Sequence, residues 1–193
     1  MKVTPYILIG GRSTRFGSDK AAFEFQGETL AARAARICEE AFAGTKARFV
    51  STVSGTFLDR VIIADVYRDR GAAGAVHAAL ADARTPWIFV LACDLPLVPP
   101  EFISKLRELT DEDHGCVIPV QPDGRRQPLC AFYRTDMCLR IFETAISGDQ
   151  QPSLRAIAQT AEPRIVEFGE YANLSDAHRL LTNVNTAADL AGI

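Results

Sequence analysis

Val3-Thr4-Pro5-Tyr6-Ile7-Leu8-Ile9-Gly10-Gly11-Arg12-Ser13-Thr14-Arg15-Phe16-Gly17-Ser18-Asp19-Lys20 passes directly from a strand-length apolar run into a glycine-rich, cationic segment. An apolar run that ends in glycines reads as a strand buried on both faces, as strands of parallel sheets are. The rest of the chain repeats the theme. Leu30, Ala34, Ile37, Cys38 and Phe42 recur at helical spacing over 29–42. Strands are predicted over 47–53 and 61–64, an alanine-rich helix over 73–83, and a central strand over 87–92, the most apolar run of all. Pro99 and Pro100 open a helix that carries Glu101 in its first turn and runs to about 109. Beyond it, strands over 116–120 and 129–133 flank the polar turn Pro122-Asp123-Gly124-Arg125-Arg126. Helices over 135–146 and 153–159, a strand over 164–168, and a segment at 183–186 leading into a short helix complete the pattern. Alternation of this kind specifies an α/β fold with a mainly parallel central sheet covered by helices on both faces.

The 193 residues, 48% hydrophobic and 23% charged, suit one domain spanning 1–193, with no repeat or low-complexity linker. A balance of 21 Lys+Arg against 24 Asp+Glu, net −3, argues against nucleic acid or an anionic membrane as partner. The charge is unevenly spread: Lys2, Arg12, Arg15 and Lys20 against Asp19 leave residues 1–20 at +3 and the other 173 at −6. That partition points to a small polyanion. No apolar run approaches the roughly 18 to 20 residues of a membrane span, and the amino-terminal run is too short for a signal-peptide core, so a cytoplasmic protein is expected. Cys38, Cys93, Cys116, Cys130 and Cys138 are odd in number and without CxxC spacing, which suits reduced, buried thiols. His77, His114 and His178 form no ligand spacing, so any metal is expected on oxygen.

The segment after the first strand stands where open α/β sheets bind ligands. Gly10 and Gly11 let the backbone approach a ligand, exposed amides can cradle phosphate oxygens, and Arg12, Arg15 and Lys20 add three cations within nine residues. A solvated glycine-rich turn is the alternative reading. The spacing is neither GxxxxGK[ST] nor the GxGxxG of dinucleotide-dependent oxidoreductases. Asp94, at the end of the 87–92 strand, reads either as the cap of a turn or as a carboxylate ligand for magnesium, which takes one or two carboxylates beside water and substrate phosphates. Arg125 and Arg126 read as solvated turn residues or as cations over a second substrate.

These segments resemble the MobA-like nucleotidyltransferases, and among them the molybdenum cofactor guanylyltransferases. Residues 10–20 (GGRSTRFGSDK) look like the family's signature loop, Cys93-Asp94-Leu95-Pro96 like its metal-binding CDxP, and 183–190 (NVNTAADL) like its NxNTPEDL. Gly71-Ala72-Ala73-Gly74 followed by His77-Ala78-Ala79-Leu80 is similar to its glycine-rich turn and helix, and Gln127-Pro128-Leu129 with Ala131 and Tyr133 to its substrate-side strand. Five matches fall in family order over nearly the whole chain. The resemblance implies a three-layer Rossmann-like nucleotidyltransferase fold and transfer of GMP from GTP to molybdopterin or its molybdenum form, with release of pyrophosphate, assisted by Mg²⁺. It also implies contacts with other molybdenum cofactor proteins.

Carried onto this chain, the resemblance implies that Leu8, Ile9 and Gly10 line the guanine and ribose side, with Gly11, Arg12, Ser13 and Gly71 completing the nucleotide site. It implies that Lys20 meets the phosphates, Asp65 contacts the nucleotide and Asp94 ligates the metal, with Arg15, Lys20 and Asp94 the catalytic set. Gln127, Asn183 and Asn185 fall on the acceptor side, either asparagine being pterin-side or metal-side. Ser51 stands where the family commonly has Asn, Ile9 replaces Ala in Leu-Ala-Gly-Gly, Gly71-Ala72-Ala73 replaces Gly-Pro-Leu, and Ala187-Ala188 replaces Pro-Glu. These departures bear on guanine against cytosine and leave open a CTP-dependent enzyme or another small-phosphate acceptor. A non-catalytic nucleotide-binding module is the reading from another class. The chemistry needs no serine, cysteine or histidine base, since a phosphate monoester is already anionic near neutral pH; two anions must instead be brought together and the leaving pyrophosphate stabilised.

Overall fold

A computed structural model describes residues 1–9, 20–148, 150–184 and 189, with the side chains of Lys20 and Arg68 outside that description. Ten strands and five α-helices are described. The strands are β1 (Val3–Leu8), β2 (Glu24–Phe25), β3 (Glu28–Thr29), β4 (Arg48–Ser51), β5 (Gly55–Phe57), β6 (Arg60–Ala64), β7 (Trp87–Ala92), β8 (Cys116–Pro119), β9 (Cys130–Arg134) and β10 (Arg164–Val166). The helices are α1 (Leu30–Ala41), α2 (Gly71–Asp82), α3 (Pro100–Glu108), α4 (Thr135–Ser147) and α5 (Leu154–Gln159). Eight strands form one sheet in the order β10-β8-β9-β7-β1-β4-β6-β5, and β2 and β3 form a separate hairpin.

Strand β7 shows why the layers close. All six of its residues are buried; Trp87, Phe89 and Leu91 enter one core while Ile88 and Val90 enter the other. The two-residue period of a strand thus feeds two apolar faces at once. One core packs under α1 and α3, the other under α2, α4 and α5. Helix α1 begins where Thr29 Oγ1 accepts from the Ala32 amide at 3.2 Å, and it buries Leu30, Ala34, Ile37 and Cys38 as its spacing requires. Pro5 is tolerated inside β1 because the pairing with β4 begins only at Tyr6, opposite Arg48.

Strands β7, β1, β4 and β6 run parallel, as does β10 on β8, so the mainly parallel α/β sheet is observed. The polar turn joins β8 and β9 as an antiparallel pair, as expected. Three features were not expected: the place of β9 against β7, the antiparallel return of β5 on β6 as an edge, and the hairpin 24–29 before α1. A two-residue apolar period is identical for parallel and antiparallel neighbours, so strand direction at β9 is set by the short turn before it. All five cysteines are buried and none is joined in a disulfide. Among the described residues, no helix is long and apolar enough to cross a membrane.

Candidate active site

The carboxyl ends of β7, β1, β4 and β6 lie side by side because these strands are parallel neighbours. Leu8 and Ile9 stand at the end of β1, Ser51 closes β4, Asp65 follows β6, and Asp94 lies two residues past β7. Backbone bonds tie these ends together: the Cys93 amide donates to the Leu8 carbonyl (3.2 Å), the Ile9 amide to Val50 (3.0 Å) and the Asp65 amide to Ser51 (2.7 Å). Five expected site residues, distant in sequence, therefore share one sheet edge, the edge at which open α/β sheets hold ligands.

Asp65 is buried, and its Oδ1 accepts from the Tyr67 amide at 2.8 Å. Its carboxylate lies against α2 at Gly74, where a Cβ would meet the two oxygens at 2.8 and 3.0 Å. Gly71 takes φ 54° and ψ −134°, a conformation reserved for glycine, and thereby turns the chain into α2. A cleft of about 310 Å³ opens beside it, lined by Asp69, Arg70, Gly71, Ala73, Gln151 and Ser153.

Three segments converge on the half-buried Asp94. The Val184 amide donates to the Asp94 carbonyl at 2.8 Å. Its neighbour Asn183 accepts at Oδ1 from Nε2 of buried Gln127 at 3.1 Å. The Arg33 Nε–H of α1 donates to the Pro96 carbonyl at 2.7 Å. Gln127, Asn183 and Asp94 are thus joined through the carboxy-terminal segment. Arg125 and Arg126 are engaged elsewhere: Arg125 pairs with Asp123 of its own exposed turn at 2.6 Å, and Arg126 donates to Gln159 of α5. Gly10, Gly11, Arg12, Ser13, Arg15 and Asn185 lie outside the described residues, as does the Lys20 side chain.

Among the described residues, no group of three or more His, Cys, Asp or Glu is arranged to hold a metal ion. A single carboxylate at a sheet edge suits a hard cation that draws its remaining ligands from water and substrate phosphates. Nucleophilic chemistry at four cysteines is disfavoured, because burial pushes the thiols of Cys38, Cys116 and Cys130 well up and that of Cys138 up to about 12. Arg33 carries no local sequence signal, since its partner Pro96 is 63 residues away. Gly74 carries one beyond its motif: glycine costs helix stability relative to alanine, so a lone glycine in an alanine-rich helix points to a packing constraint.

A family model described as the MobA-like NTP transferase domain matches residues 6–164. This chain belongs to the MobA-like NTP transferase family. A probable molybdenum cofactor guanylyltransferase of Mycobacterium avium (strain 104) is 32% identical over 204 residues, covering 100% of this chain and 95% of that protein. A protein of the same name from Pelotomaculum thermopropionicum is 29% identical, covering 98% and 91%. Among solved structures, molybdopterin-guanine dinucleotide biosynthesis protein A from Archaeoglobus fulgidus superimposes with TM-score 0.75 at 22% identity, covering 100% of this chain and 96% of that one. The 2-C-methyl-D-erythritol 4-phosphate cytidylyltransferase of Francisella tularensis gives 0.69 at 15%, covering 100% and 98%. These likenesses place the MobA-like chain in the nucleotidyltransferase fold, as its motifs implied.

Proposed function

We propose that the protein is a molybdenum cofactor guanylyltransferase that transfers GMP from GTP to the phosphate of molybdopterin, or of its molybdenum form, and releases pyrophosphate. The observation that carries this reading is the meeting of Leu8, Ile9, Ser51, Asp65 and Asp94 at the ends of four parallel strands, in a chain whose full-length relatives bear that name. A molybdopterin phosphate oxygen forms the new bond to the α-phosphorus, and the bond from that phosphorus to the bridging oxygen of the β-phosphate breaks. Leu8, Ile9, Gly10, Gly11, Arg12, Ser13 and Gly71 hold the nucleotide, with Ser51 and Asp65 facing the nucleoside. Arg15 and Lys20 balance the phosphate charge. Gln127 and Asn183, with Asn185, serve the acceptor side. Asp94 is the residue that would hold Mg²⁺, which supplies charge neutralisation to the phosphates when bound. Buried thiols without disulfides suit a cytoplasmic setting.

Ser51 in place of the family's Asn favours one second reading, use of CTP, because a short hydroxyl reaches less of a purine edge than a carboxamide does. The test is incubation with GTP, CTP, Mg²⁺ and molybdopterin, with mass detection of the dinucleotide. A guanine dinucleotide with stoichiometric pyrophosphate is expected, and turnover by Asp94→Ala should fall by about a hundredfold or more. A cytosine dinucleotide alone would establish the second reading; no dinucleotide from either nucleotide would overturn both.

A further inference from the structure

We propose that Arg33 is a positioning residue that locks the loop carrying Asp94 to the hairpin leaving the glycine-rich loop, so that metal and nucleotide phosphates are held in register. This rests on the reading of Asp94 as the metal ligand.

Three contacts of one guanidinium carry the inference. Nε–H donates to the Pro96 carbonyl at 2.7 Å, Nη1 donates to Glu28 Oε1 at 3.0 Å, and the guanidinium carbon lies 4.9 Å from the centre of the Phe25 ring. Pro96 is two residues past Asp94, whereas Phe25 and Glu28 belong to the hairpin that follows Lys20. Arg33 is mostly buried, with 18% side-chain exposure, and Phe25 is buried. Glu28 is kept ionised: Arg36 foremost, with Arg33 adding to it, holds its carboxyl below the usual carboxylate range. The Asp94 loop is also held to the sheet and to the 183–184 segment, by Leu95 N–H to Ala92 (3.2 Å) and by Val184 N–H to Asp94 (2.8 Å). Arg33 adds a tie from this loop to the hairpin 24–29. A planar guanidinium holds its donors in a fixed fork wide enough to serve two acceptors while it lies over a ring; a lysine ammonium is a compact point charge whose three donors sit on one atom. Transfer between two anions depends on alignment, and a displacement of roughly 1 Å remote from the reacting atoms costs on the order of a hundredfold.

The test uses Arg33→Lys, Arg33→Met and, as control, Asp94→Asn. Mn²⁺ binding to the GTP-loaded protein is followed by electron paramagnetic resonance, beside kcat, the KM for GTP and thermal unfolding. Arg33→Lys keeps the stem and charge and is decisive should Arg33→Met fail to fold. Expected for Arg33→Lys are an unfolding temperature close to that of the parent, a KM for GTP changed by less than about twofold, and Mn²⁺ affinity and kcat each lowered about tenfold or more. Mn²⁺ affinity and kcat at parental values in Arg33→Lys, while Asp94→Asn weakens Mn²⁺ binding, would overturn the role of Arg33 alone. Parental Mn²⁺ binding in Asp94→Asn would overturn the metal-ligand reading and the proposal with it.

Discussion

Replacing Gly74 with alanine sets two opposed effects against each other, and the structure says which wins. In a solvent-exposed helix interior the change stabilises by about 1 kcal/mol, because alanine restricts the unfolded backbone and favours the helix. At Gly74 the new Cβ would stand 2.6 Å from the Tyr67 carbonyl oxygen and 2.8 and 3.0 Å from the Asp65 carboxylate oxygens. Neither neighbour yields easily: the Tyr67 carbonyl accepts from the Arg70 amide at 2.8 Å, and Asp65 Oδ1 accepts from the Tyr67 amide at 2.8 Å. Relief requires α2 or the 65–70 segment to move by nearly 1 Å, an overpacking that costs roughly 2–3 kcal/mol, for a net loss of about 1–2 kcal/mol. Urea unfolding should show a lower midpoint at unchanged slope. Because the displaced carboxylate is the proposed nucleotide contact, GTP affinity should fall as well. A midpoint raised by the equivalent of about 1 kcal/mol, with parental GTP affinity, would refute the reasoning.

Two further outcomes follow from buried polar groups. His77 is buried against Tyr67 with neither ring nitrogen hydrogen-bonded; burial lowers its pKa and outweighs the opposing pull of Glu143 and Asp65. The unfolded imidazole binds a proton below about pH 6.5 while the folded one stays neutral, so stability contributed by His77 is full above that pH and is lost as pH falls toward the lower folded value. His77→Leu should raise stability by roughly 1 kcal/mol at pH 7.5, and by more at pH 5.5; an equal effect at both pH values in urea titrations would refute this. Tyr171 is fully buried and its hydroxyl donates to the Val120 carbonyl at 2.7 Å. Tyr171→Phe strands that carbonyl and should cost about 1–2 kcal/mol by the same measurement, whereas no loss would show the bond to be replaceable.

Much of the site was legible as a set of strand ends. A strand buried on both faces must continue into a loop at the sheet edge, so Leu8, Ser51 and Asp94 were marked by the runs that precede them. The acceptor side was less legible. Arg125 and Arg126 sit in a turn whose composition is the same whether its cations face a ligand or, as observed, Asp123 and Gln159. The tie between Gln127 and Asn183 spans 56 residues and leaves no local trace.

What the sequence determined by itself were the properties carried by short-range periodicity and composition. These are the helical stripe of α1, the double-faced burial of β7, the cationic segment before residue 20 and the absence of thiol ligand spacing. The tertiary structure alone decided the place of β9 between β7 and β8, the seat of Asp65 against Gly74, and the bridge from Arg33 to Pro96. Each of these is a contact between separate elements of the fold, and its energy depends on how close two packed elements come. Apolar pattern selects which faces meet; only the closed fold sets the distance at which a carboxylate, a carbonyl and a guanidinium meet them.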